Sequence, residues 1–422
     1  MSHTNMVLAP LGVLFLLAFG TGEPRAQQAA TSDSLFRATI AASRHTLALD
    51  RGRLTGPGAE FLLGEGARAR FFMVGEEHGV ADVPEFTAAA LRALREHGYD
   101  RLVVETSPTT SAALDRAARG GRDSLSALFA RFPLAVPFYD LHEEADLLVG
   151  AVEEAGSAPV IWGVDYEFVF GAALALTELE RAAPTAEARA LAGRYREQAE
   201  AGQRAFSGAD PGPLFFVQAG PGDFAALRAV FAADPGAVAL VDGLEASAEA
   251  WRLQFAGENY RSNEARTALL RANFAEAYGR AFGDPGAGHK AVLKFGANHL
   301  FRGHTPVHVL DLGTTASVLA EAEGDHTFNV MAVAGRGSEQ TYFDPTSPGT
   351  RPTEMAAWML PLYDAADPER WTVFDLRPLR PLLHAGRIEV APELERLIWG
   401  YDAFLILSGS RPAGFGPRSG PE

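Results

Sequence analysis

What most constrains this chain is a set of short, unbroken apolar runs, several of which end in glycine, a carboxylate or histidine. Residues 70–74, 101–105, 159–163, 291–295, 307–312, 328–333 and 403–407 read as strands. They are continuous rather than alternating, the pattern of a strand covered on both faces. Between them lie stretches of helical periodicity, among them residues 84–97 and 142–154. Strand and helix in alternation build βαβ units, so the expected class is α/β: a mostly parallel sheet flanked by helices.

Two stretches break this rhythm. Residues 32–49 read as one helix with Asp33 or Ser34 near its cap. Residues 170–285 are largely helical, with Pro/Gly-rich breaks at 210–213 and 219–222, and read as an insertion packing over the sheet, either as a lid or as ordinary peripheral helices. The expected layout is therefore one α/β domain over residues 27–410. A Gly/Pro/Arg/Ser-rich tail, residues 411–422, reads as disordered. Ahead of the domain, residues 6–20 are a short apolar segment followed by polar and small residues. That is the pattern of a secretory signal peptide, cleaved near Ala26, and implies export to a periplasm or the exterior.

Composition narrows the function classes. A chain of 422 residues that is 47% hydrophobic has material for an ample core. After the first thirty residues no long apolar run occurs, so no stable membrane insertion is expected once the leader is gone. The 53 acidic residues exceed the 37 Lys and Arg, for a net charge of -16. Nucleic acid and anionic lipid both demand a basic face, and neither is expected as a partner; a small-molecule substrate is. With no cysteine, disulfides, thiolate catalysis and cysteine-bound zinc are excluded.

In open parallel sheets ligands bind beyond the carboxyl ends of the strands, so the polar residues just after each strand are the candidates. After residues 70–74 comes Gly75-Glu76-Glu77-His78-Gly79, where flanking glycines permit a sharp turn and an imidazole follows two carboxylates. An imidazole held by a carboxylate is a water-activating base or a metal ligand. Glu105 ends the apolar run Leu102-Val103-Val104, where a carboxylate is costly unless paired. Asp165 and Glu167 follow the third run, and Asn298 and His299 the fourth. Arg266 and Asn273 lie two turns apart on one helical face, and Arg266 is suited to an anionic or carbonyl group. His304 and His308 sit among Gly303 and Pro306 and read as structural or surface residues. No His-Glu-x-x-His zinc signature, Gly-x-Ser-x-Gly elbow or phosphate-binding loop occurs.

Taken in order, these motifs resemble the erythromycin esterase-like family, which is related to the haem-uptake (ChaN-like) and TIKI proteins. The matching segments are residues 72–79, 102–105, 266–273, 290–299 and Gly400-Tyr401-Asp402-Ala403-Phe404. The Gly-Glu-Glu-His spacing is one residue shorter than the esterase pattern and closer to the haem-uptake and TIKI form. The resemblance implies His78 as the base that activates water, with Glu76 and Glu105 orienting it or binding substrate and His299 as a second polar contact. Glu77, Asp165, Glu167, Arg266 and Asn298 are then expected to bind substrate. The expected activity is hydrolysis of an ester, lactone or amide with no required cofactor. The alternative is a haem- or divalent-metal-binding protein without turnover, with His78 and His299 as ligands.

Overall fold

The computed structural model describes residues 25–153, 155, 159–208, 210–282, 290–340 and 350–414. The apolar part of the leader segment and the end of the tail lie outside the described residues. Among these, nine strands form one sheet in the order β2 (Arg53–Thr55), β1 (Arg44–Asp50), β10 (Trp371–Asp375), β11 (Ala403–Leu407), β7 (Thr327–Ala334), β3 (Phe71–Glu76), β6 (Lys290–Gly296), β4 (Tyr99–Val104), β5 (Ile161–Gly163). From β11 to β5 every pairing is parallel, while β2, β1 and β10 add an antiparallel edge. The fold is α/β, as expected. A two-stranded ribbon, β8 (Ser338–Gln340) with β9 (Thr350–Pro352), stands apart.

The apolar runs are continuous because both faces of the sheet are covered. Along β3, Phe72 and Val74 join one apolar cluster and Phe71 and Met73 the other. β4 divides in the same way, with Leu102 and Val104 on one side and Val103 on the opposite side. Burying each phenylalanine contributes about 1.5–3 kcal/mol relative to exposure, so a strand that feeds two cores has no position to give to water. The first cluster is closed by helices Asp82–Leu94, Pro108–Arg119 and His142–Glu153, the second by Asn259–Phe282, Leu312–Ala322 and Pro392–Gly400.

Between β5 and β6 the chain is helical. Helices Ala172–Ala182, Ala186–Ala205, Pro221–Phe231 and Pro235–Phe255 share an apolar core of their own, whereas Asn259–Phe282 packs Leu270 and Phe274 against the sheet. No helix among the described residues is long and apolar enough to cross a membrane.

Three sequence expectations need correction. The helix expected over residues 32–49 is helix Arg25–Ala42 followed by β1, whose pairing to β10 overrides local helix propensity. Residues 307–312 are no strand: His308 adopts φ 64, only an isolated bridge joins His304 to Leu310, and a helix begins at Leu312. The first four residues of the expected disordered tail are tied down. Arg411 N–H donates to Asp82, Ala413 N–H to Gly79 and Gly414 N–H to Glu143, and Ala413 is buried.

Candidate active site

The parallel neighbours β3, β6, β4 and β5 end side by side, and the residues after them line one cavity of about 770 Å³. Glu76, Glu77, His78, Glu105, Asp165, Glu167, Arg266, Asn298 and His299 all face it. Every candidate substrate or catalytic position from the sequence therefore meets at one place, although they come from segments up to 223 residues apart (76 to 299). His304 and His308 lie exposed on a loop and do not line it.

His78 is held from three sides. Its Nδ1 meets Glu76 Oε1 at 3.1 Å, its Nε2 lies 3.7 Å from Glu105 Oε2, and its ring lies flat on Phe138 with centroids 3.6 Å apart and planes 7° off parallel. Phe138 adopts φ 68, a strained value for a bulky residue. Two close approaches explain the nearby glycines. A Cβ on Gly79 (φ +86) would stand 2.6 Å from the Gln340 carbonyl, and one on Gly75 would stand 2.2 Å from the Tyr401 hydroxyl. The turn needs glycine at both ends.

Glu105 is the hub. Its Oε2 accepts the Gly296 N–H at 2.7 Å, and its Oε1 accepts Arg266 Nη2 at 2.7 Å and lies 3.4 Å from His299 Nε2. Burial raises the Glu105 carboxyl, but His299, His78 and Arg266 outweigh it and hold the group well below the ordinary carboxylate range. Arg266 also donates from Nε and Nη2 to Asp165 at 3.0 and 2.5 Å and stacks over the Tyr166 ring. Asn273, on the same helix, caps the Val164 and Asp165 carbonyls.

His299 is the counterpart of His78. Its Nδ1 sits 2.8 Å from Asp311 Oδ2, and its Nε2 faces Glu105. Burial and Arg266 oppose its charge, but Asp311 and Glu105 prevail and push its pKa up to about 10, so it is imidazolium at neutral pH. Glu167 accepts the hydroxyls of Ser107 at 2.5 Å and Thr110 at 2.6 Å; burial nevertheless pushes it up to about 7. Glu77 accepts a long bond from Ala334 N–H at 3.3 Å, and burial pushes it up to about 7 as well, with Glu339 adding to the effect. Asn298 is exposed at the rim.

Sequence reasoning missed the floor of the site. Lys294, wholly buried on β6, donates to Glu76 Oε1 at 2.5 Å and to Glu144 Oε1 at 2.7 Å. A lysine inside an apolar run, in a chain whose only lysines are Lys290 and Lys294, was the available signal. Asp311 was legible as a helix cap, which it also is, through Leu312 N–H. Glu144, Phe138 and Tyr139 carried no sequence signal.

The residues around the cavity are already paired with one another in a way that does not suit a divalent metal. Among the described residues no group of three or more His, Asp and Glu side chains is disposed to hold a metal ion. Both Nδ1 atoms are occupied by carboxylates, and Glu76, Glu105 and Asp165 are already ion-paired with Lys294, Arg266 and His299. A further cation there meets three fixed ones, Lys294, Arg266 and the His299 imidazolium.

Comparison of the sequence with protein-family models and with curated proteins gives no match. Solved structures do match. A variant of an erythromycin esterase in its open conformation aligns with TM-score 0.62 and 16% identity, covering 89% of this chain and 99% of that one. The fold is that of an erythromycin esterase. A Bacillus cereus protein (TM-score 0.59, 13% identity) and a succinoglycan biosynthesis protein (0.60, 11%) share it, each covering 91% of this chain and 99% of their own. This agrees with the esterase side of the resemblance read from the sequence and lends no separate support to the haem-uptake or TIKI side.

Proposed function

We propose that this protein hydrolyses an ester, lactone or amide with water activated by His78. One observation carries the reading: two imidazoles flank Glu105, each with Nδ1 on a carboxylate and Nε2 turned toward Glu105 at the cavity wall. His78 is the base of this reading, and His299 is held cationic. The likeness to an erythromycin esterase supports the ester and lactone end of the range.

In this reading Glu76 fixes the His78 tautomer with the proton on Nδ1, which leaves the Nε2 lone pair for water. His78 Nε2 takes a proton from water as the water oxygen bonds to the carbonyl carbon. The carbonyl oxygen becomes an oxyanion, and the His299 Nε2–H donates to it. When the adduct collapses, the bond to the leaving oxygen or nitrogen breaks and the His78 imidazolium returns its proton there. The products are an acid with an alcohol or amine, or one hydroxy acid from a lactone. Arg266 donates to Glu105 and Asp165 through Nε and Nη2 and also lines the cavity that substrate would enter. Glu77, Glu167 and Asn298 line the walls that substrate would touch.

The test is turnover by the purified protein on a panel of aryl esters, lactones and amides. His78→Ala is expected to lower kcat by about 10²–10⁴, the worth of a general base, with an unchanged circular dichroism spectrum. Undiminished turnover in that variant refutes the mechanism.

A further inference from the structure

We propose that Glu144 is a positioning residue of this site, acting through Lys294 to set the charge and orientation of the Glu76–His78 pair. The inference rests on His78 being the base of the proposed reaction.

The geometry is a four-member chain. Lys294 Nζ bridges Glu144 Oε1 and Glu76 Oε1, and that same Glu76 oxygen holds His78 Nδ1. Its inner members are buried: Lys294 is wholly buried over the Tyr139 ring, and both glutamates are buried, while His78 opens onto the cavity. Two carboxylates and one ammonium without solvent leave an uncompensated negative charge, which a dry interior disfavours. Glu144 Oε2 is buried and has no hydrogen-bond partner, so it offers the chain a place for one proton.

Burial raises both carboxyls, yet Lys294 and His78 bring Glu76 below its ordinary range, while Glu144 stays up at about 7. The proton therefore resides on Glu144 in the acid form. Lys294 then belongs to Glu76, and Glu76 pulls weakly on the His78 Nδ1–H. When Glu144 ionises, Lys294 is shared, the pull on Nδ1–H strengthens, and His78 Nε2 becomes more basic.

The groups that face Glu144 are Lys294 on β6, Glu76 and His78 at the end of β3, and Tyr139 ahead of its own helix. Charged residues on the neighbouring helices turn elsewhere. Asp82 and Glu85 pair with Arg411, Asp115 holds Arg119 and the Val160 and Ile161 N–H groups, and Arg122 meets Asp146 and the His142 carbonyl.

The experiment is carbon-detected NMR of the full chain labelled at histidine and glutamate side chains, with His78 assigned by its loss in His78→Ala. In the wild type the His78 ring should titrate in two steps, one coinciding with the Glu144 carboxyl. In Glu144→Gln the coinciding step should vanish and the His78 midpoint should fall by about 0.5–1 unit, as expected for losing one nearby carboxylate. The kcat/KM profile should lose the same inflection, and Glu144→Asp should restore it. A one-step His78 titration in the wild type overturns the proposal and needs no variant to fold. So does a His78 midpoint unmoved by Glu144→Gln. Two-step titration in a protein that hydrolyses none of the panel keeps the positioning role and removes the hydrolase reading alone.

Discussion

Gly296 gives the sharpest test of where the reacting atoms sit. A Cβ built there stands 2.9 Å from His78 Nε2 and 3.3 Å from Glu105 Oε2. Ordinary contact needs about 3.4 Å or more, so a methyl group intrudes on the imidazole by roughly half an ångström. His78 cannot retreat through Phe138, whose ring centroid lies 3.6 Å away. It must turn, which stretches or breaks the 3.1 Å contact to Glu76. Losing a hydrogen bond to a charged group costs about 1.5–3 kcal/mol. Gly296 has φ -49 and ψ 137, which alanine adopts freely, so stiffening the unfolded chain offsets about 0.4–1 kcal/mol of that. Gly296→Ala should therefore unfold at a temperature only a few degrees lower than wild type. Its kcat/KM should fall about 100-fold, since a displacement near 1 Å in a catalytic group costs that much. Thermal denaturation and steady-state hydrolysis measure the two effects. Gly64→Ala is the control: it lies in helix Pro57–Arg68 with nothing within 4 Å of its Cβ, and should gain up to about 1 kcal/mol with unchanged activity. Wild-type kcat/KM in Gly296→Ala would show that the space between His78, Glu105 and Gly296 is not where the chemistry happens.

Two further expectations concern stability. Lys294→Met strands Glu76 and Glu144 without their cation and should cost about 3–5 kcal/mol in urea denaturation at pH 8. Because the stranded carboxyls take up protons, the loss should shrink at pH 5; equal losses at both would contradict the charge argument. His299 has its folded pKa raised to about 10, above its unfolded value, so its contribution is full below about pH 6.5 and disappears as pH rises through 10. Its size is on the order of 5 kcal/mol, and His299→Gln should remove that part of the pH dependence of denaturation between pH 6.5 and 10. A wild-type pH profile in His299→Gln would mean Asp311 and Glu105 do not hold it charged.

Much of the site was legible in one dimension because strand ends are a positional code. Apolar runs buried on both faces identify parallel strands, and parallel strands bring their carboxyl ends to one edge. His78, Glu105, Asp165 and His299 could be collected on that ground alone. Strands β1 and β10 of the antiparallel part of the sheet were not read; β1, seven residues starting one residue after a helix, has a local pattern that merges with that helix. Lys294 was hidden for the opposite reason: a single charge in an apolar run tells nothing about its partners until Glu144 arrives from a helix 150 residues away.

The sequence by itself determined the α/β class, the parallel centre of the sheet and the strand ends at which polar residues would gather, because burial and periodicity are written locally. Only the tertiary structure decided what those residues are to one another. It joins Glu105 to two histidines, commits Arg266 to carboxylates and sets Lys294 beneath His78. Charge state and tautomer depend on distances between segments far apart in the chain, and those distances exist only once the sheet has been assembled.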